Sequence, residues 1–89
     1  MEVLYRKAFL KDLKKLKNRS AYDRVFQLAF SDLPKSEALR EVPGVTPMTG
    51  HPGRYRIRIG DYRVGIEFSG NKVELVRALH RRDFYRYFP

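Results

Sequence analysis

The period of the hydrophobic positions changes along the chain, and the change divides it into elements. Over residues 8–17 (AFLKDLKKLK), Phe9, Leu13 and Leu16 fall on one helical stripe, with Leu10 beside it and lysines opposite. Asn18 and Arg19 make a short break, and Ser20, three residues before Asp23, is placed to cap a second helix. Tyr22, Val25, Phe26, Ala29, Phe30 and Leu33 then recur at helical spacing until Pro34, which ends or closely follows that helix. Two amphipathic helices with a tight connection predict an antiparallel helical hairpin. Ahead of it, residues 2–6 (EVLYR) read as a short strand.

Residues 34–53 lose all periodicity. Pro43, Gly44, Pro47, Gly50, Pro52 and Gly53 crowd together and predict an irregular connection. The period then becomes two. Tyr55, Ile57 and Ile59 point to one face and Arg54, Arg56 and Arg58 to the other. Gly60-Asp61 is a two-residue turn, and the return strand carries Tyr62, Val64, Ile66 and Phe68 on the apolar face. Gly70-Asn71 turns the chain again into a third strand over 72–79, in which Arg77 interrupts Val73, Leu75 and Leu79. A short helix over about 81–88 closes the chain, with Phe84 and Phe88 spaced to anchor it.

The hairpin turn sets a register. It places Ile59 opposite Tyr62, Ile57 opposite Val64 and Tyr55 opposite Ile66, all apolar pairs that support the sheet. On the other face Arg54 meets Glu67 as an ion pair, Arg56 meets Gly65, and Arg58 meets Arg63. Like charges directly opposite each other destabilise a sheet, unless an anion sits between them. Gly65 has no side chain, so the sequence predicts a gap beside Arg56 that a sugar or phosphate can enter. Strict alternation in the third strand would put Ala78 and His80 on this arginine-bearing face, next to Arg63. On the last helix Arg81 and Tyr85 share a side and would overhang the same patch.

Charge strengthens this picture. The 89 residues carry 19 Lys and Arg against 10 Asp and Glu, a formal net charge of +9. Such an excess on one small domain points to a polyanionic partner. Six of the seven lysines precede residue 36 and eight of the twelve arginines lie from Arg54 onward. Lysine is a solvated point charge, whereas the planar fork of arginine matches phosphate geometry, so the phosphate site belongs to the second half. The chain has no cysteine, which removes disulfides and thiolate metal sites. Two histidines give no metal spacing, and no Gly-rich phosphate loop or paired-carboxylate site appears. No metal, cofactor or membrane partner is therefore expected. The N-terminus lacks the features of a signal peptide, so the expected location is the cytoplasm.

The phrase YRIRIGDYR, followed about twenty residues later by HRRDFY, resembles the RelE/ParE superfamily of toxins from toxin–antitoxin pairs, and the resemblance runs the length of the chain. It implies an α+β fold: a small antiparallel sheet, an N-terminal helical hairpin packed on it and a short C-terminal helix. It also implies one of two activities. RelE-like members are endoribonucleases that cut mRNA on the ribosome, and ParE-like members poison DNA gyrase. The positions that work in RelE-type enzymes correspond here to Arg56, Arg58, Arg63, Arg81 and Tyr85. The best-studied members have lysines where Arg56 and Arg58 stand, and arginine, unlike lysine, cannot serve as a base.

On that resemblance the catalytic set is Arg58, Arg63, Arg81 and Tyr85, with Arg56 binding substrate; Arg54 and His80 join the expected substrate-binding set from their placement on the arginine-bearing face. Metal-free RNA cleavage needs a base for the 2′-OH, cations for the phosphorane and an acid for the leaving 5′ oxygen. The arginines suit the phosphate, while Tyr85 and His80 are both candidates for proton exchange. The expected partners are a cognate antitoxin, the ribosome and mRNA. A gyrase poison and a non-catalytic RNA- or ribosome-binding module are the alternatives.

Overall fold

A computed structural model describes residues 1–89. Strand β1 (Glu2–Tyr5) leads into helix α1 (Lys7–Lys15). Helix α2 (Tyr22–Gln27) continues through a π-helical turn (Leu28–Asp32) into α3 (Leu33–Lys35). Strands β2 (Val45–Pro47), β3 (Arg54–Ile59), β4 (Tyr62–Ser69) and β5 (Lys72–His80) follow, and α4 (Arg81–Tyr87) ends the chain.

Five strands form one sheet in the order β1-β5-β4-β3-β2. Three neighbouring pairs are antiparallel, as the hairpins require, but β1 pairs with β5 in parallel. The sheet is therefore mixed rather than wholly antiparallel. The irregular stretch also contains β2, which flanks the arginine hairpin on the β3 side and which its prolines and glycines concealed.

The helical hairpin packs on one face of the sheet. Phe9, Leu13 and Leu16, with Val25, Leu28, Ala29 and Leu33, bury against Ile57, Ile59, Val64, Ile66, Val73 and Leu75. Each large side chain removed from water contributes about 1.5–3 kcal/mol. The hairpin departs from the sequence expectation in three ways. Ser20 caps nothing, because α2 starts after Ala21 with no side-chain cap. Pro34 lies inside the last helical turn, since the wide turn over Leu28–Asp32 loosens the backbone just before a residue that has no N–H to give. Phe26 and Phe30 are 46% and 39% exposed, forming an aromatic row with Tyr5 in which Phe30 stacks on Tyr5 at 4.8 Å.

The opposite face of the sheet carries the arginines and is partly covered by α4. Phe84 and Phe88 bury there with Val76, making a second small core to which Met48 and Leu79 add.

Candidate functional site

Residue pairing in the arginine hairpin follows the register read from the sequence. Arg54 is opposite Glu67, Arg56 opposite Gly65 and Arg58 opposite Arg63. Gly60 takes φ +57° in the turn, a backbone region that suits glycine.

Electrostatics differ between the two ends of this face. At the Arg54 end the charges are balanced. Glu67 lies 3.7 Å from Arg54 and 2.6 Å from Arg6, and Arg6 also donates to Glu74 at 3.0 Å. That hydrogen bond to Glu74 raises the Arg6 pKa above its ordinary value. Toward the Gly60 turn the charged side chains that β3 and β4 place on this face are all cations. Arg56, Arg58 and Arg63 make no ion pair.

The turn itself organises the cationic end. Arg63 Nη1 donates to the carbonyls of Gly60 (2.9 Å) and Tyr62 (3.0 Å), which fixes its guanidinium beside the turn. The Arg81 backbone N–H donates to the Asp61 carbonyl at 2.8 Å, tying the start of α4 to the same turn. The Arg81 side chain reaches only 3.9 Å from the Asp61 carboxylate, with both groups well exposed. A contact of that kind is worth little and leaves Arg81 available. One turn further, the Tyr85 ring is 53% exposed and lies 5.8 Å from the Arg56 guanidinium. Five of the expected residues, Arg56, Arg58, Arg63, Arg81 and Tyr85, thus gather at one end of the sheet. Arg54 is engaged by Glu67 instead.

Two expectations about this face are corrected. The first concerns His80. Between Gly65 and Ile66 of β4 the pairing with β5 slips by one residue, because β5 bulges at Val76. A one-residue bulge exchanges the faces of everything beyond it. Ala78 therefore pairs with Val64 in the main core, and His80 pairs with Tyr62, away from the arginines. Arg77 and Leu79 are the residues opposite Gly65 and Arg63. His80 Nδ1 accepts the Arg82 backbone N–H at 3.1 Å and so caps α4. The second concerns Gly65, where no gap exists. The Phe88 ring fills it, 2.7 Å from where a Cβ would stand.

Sequence reading missed Asp12. It is 3% exposed, accepts from Arg77 Nε at 2.7 Å and Nη2 at 3.1 Å, and accepts the Ala78 N–H at 3.0 Å. β1 has ended at this level, so Asp12 of α1 satisfies the exposed edge of β5 in its place. The hydrogen bond to Asp12 raises the Arg77 pKa, and Arg77 in turn covers the Tyr87 ring at 5.1 Å. The sequence does carry a signal for it: Asp12 is an acid within the apolar Phe9–Leu13–Leu16 stripe of a lysine-rich helix.

An open groove of about 760 Å³ between α2 and the outer side of β3 adjoins the site through Arg58. No helix is long and apolar enough to cross a membrane.

Comparison with known proteins follows the same lines. Residues 3–85 match the model of the ParE toxin of type II toxin–antitoxin systems, a span that includes all five clustered residues. A relative from Methanocaldococcus jannaschii, Toxin RelE3, is 36% identical over the whole of both chains. A chain in the crystal structure of a RelB–RelE antitoxin–toxin complex from Methanococcus jannaschii is 34% identical, with a TM-score of 0.78, over 97% of this chain and 99% of that one. The toxin–antitoxin complex RelBE2 from Mycobacterium tuberculosis gives 28% identity and a TM-score of 0.68, over 90% and 96% of the two chains. The DinJ–YafQ complex of E. coli shares the fold at 15% identity, with a TM-score of 0.74 over 94% and 97%.

Proposed function

We propose that this chain, which belongs to the ParE toxin family of type II toxin–antitoxin systems, acts as a RelE-type endoribonuclease that cuts mRNA on the ribosome and so inhibits translation. The observation that carries the reading is the gathering of Arg56, Arg58 and Arg63, which make no ion pair, with Arg81, whose only carboxylate contact is the long, exposed one to Asp61, around the exposed ring of Tyr85.

The reaction is a transesterification. The 2′ oxygen bonds to the adjacent phosphorus, the P–O5′ bond breaks, the 2′ proton leaves to a base, and the 5′ oxygen takes up a proton. A 2′,3′-cyclic phosphate and a 5′-hydroxyl result. Arg58 and Arg63, directly opposite each other, hold the non-bridging oxygens and stabilise the added charge of the phosphorane. Arg63 is already oriented by two turn carbonyls, so little reorganisation is needed. Arg56 takes a neighbouring phosphate, and Arg81, at the turn, stands by the leaving oxygen. Arginine cannot accept a proton. With His80 on the other face, Tyr85 is the proton-exchanging group within the cluster, and its exposed ring also offers a surface for a base.

The partner is an antitoxin. Three unpaired arginines on a sheet of a +9 chain favour an acidic polypeptide that folds over them and competes with RNA.

Primer extension on translated mRNA after induction tests the reading. New 5′ ends are expected with the native protein and are lost with Arg63→Ala or Arg81→Ala. Removing one such contact typically slows the chemical step about 100-fold or more. Full-length transcripts together with DNA breaks would instead identify a gyrase poison.

A further inference from the structure

A second basic cleft lies at the exposed edge of β5, around the start of α4 from the arginine face. It has a volume of about 530 Å³. Lys15 and Arg19 come from the end of α1 and the turn after it, Arg82 from α4, and the rings of Tyr62, His80 and Tyr87 from β4, β5 and α4. Two carboxylates, Asp12 and Asp83, also line it. Asp12 is consumed by Arg77 and Ala78, so three cations without ion-pair partners remain against Asp83. None of the residues assigned to cleavage enters this cleft.

The cleft suits one ligand chemistry. Unpaired cations next to aromatic rings match a phosphate carrying a base, and the volume holds about one nucleotide. Its place in the fold matters as much. Arg81 and Arg82 are consecutive, yet Arg81 is tied to the Gly60-Asp61 turn on the arginine side and Arg82 lines the cleft. A strand bound at Arg81 has the next cation of its path at Arg82.

The geometry points to a second RNA subsite in this cleft, which takes a nucleotide of the same strand beyond the cleaved bond. Arg19, Arg82 and Lys15 hold its phosphate, and Tyr62 or Tyr87 flanks its base. The inference rests on the RNA-cleaving reading for the strand's identity, but it is tested by binding alone.

Fluorescence anisotropy with 2′-O-methyl RNA, which cannot be cut, separates the two claims. One oligonucleotide of about four nucleotides reaches only the arginine face, and one of about twelve reaches both sites. The double variant Arg19→Ala/Arg82→Ala is expected to weaken the long RNA on the order of tenfold and to lower its salt slope by about 0.7, the share of the one phosphate held in the cleft. The short RNA is expected to bind as before. Arg19→Lys/Arg82→Lys restores most of the slope, and Lys7→Ala/Lys11→Ala on the solvated face of α1 is the control. Unchanged affinity for the long RNA, or an equal loss in the control, overturns the subsite. A loss for poly-glutamate and not for RNA assigns the cleft to an acidic polypeptide and also overturns it. If Arg58→Ala/Arg63→Ala leaves both RNAs bound as tightly as before, the failure lies with the arginine-face reading instead. Photo-crosslinking of a 4-thiouridine form of the long RNA gives a readout that needs no variant: adducts at Tyr62 or Tyr87 are expected, and adducts confined to Tyr85 and β3 overturn the proposal.

Discussion

Phe88 and Gly65 are packed face to face: the ring lies 2.7 Å from the position a Cβ at residue 65 would take. This contact seats α4 on the sheet and with it Arg81 and Tyr85. Gly65→Ala forces the ring outward and is expected to destabilise the protein by about 1–3 kcal/mol, the usual cost of overpacking. Cleavage falls as well, because Arg81 and Tyr85 move with α4. Thermal denaturation beside a cleavage assay checks both effects. An unchanged melting temperature would mean that the helix is not held there.

The ion pair of buried Asp12 with half-buried Arg77 links α1, β5 and, through Tyr87, α4. Asp12→Ala leaves Arg77 without its counter-ion and the Ala78 N–H without an acceptor. The expected loss is about 3 kcal/mol, which a chemical-denaturation midpoint at constant m-value measures directly.

His80 is a cap, with its ring nitrogen committed to the Arg82 N–H. His80→Ala is expected to cost about 1 kcal/mol of stability and to leave the cleavage rate of the folded protein near native. Tyr85→Phe is expected to do the reverse, keeping stability while slowing cleavage about 100-fold or more. Single-turnover rates on ribosome-bound mRNA separate the two. A native rate in Tyr85→Phe would confine Tyr85 to stacking.

Alkaline stability reports on Tyr5. Its hydroxyl donates to the Ala29 carbonyl at 2.8 Å, and burial raises its pKa above the ordinary 10.0. The folded state therefore holds this proton more tightly than the unfolded chain does. The corresponding stabilisation is complete below about pH 10 and is lost as pH rises through the folded value. Tyr5→Phe is expected to be weaker by about 1 kcal/mol at neutral pH, from the lost hydrogen bond, and to lose less stability than the native protein as pH passes 10. Denaturation midpoints between neutral and alkaline pH, compared for the two proteins, give the difference.

Part of this protein is determined locally and is legible without coordinates. A period of two around Gly60-Asp61 defines β3 and β4, and a two-residue turn leaves one register, so the Arg58–Arg63 pairing follows from the sequence alone. The anchoring of α4 by Phe84 and Phe88 is legible for the same reason, since spacing on a helix selects a face. Other features depend on groups far apart in the chain. The bulge at Val76, which turns His80 away from the arginines, goes with an edge of β5 that β1 leaves open and Asp12 satisfies from α1. In the sequence it shows only as Arg77 falling out of step. The filling of Gly65 joins residues 23 positions apart across two elements, and the parallel seat of β1 joins the two ends of the sequence. Local pattern sets which face a side chain takes within an unbroken strand or helix. Which element covers that face, and where a strand breaks step, is decided by long-range packing and by the need to satisfy every buried polar group.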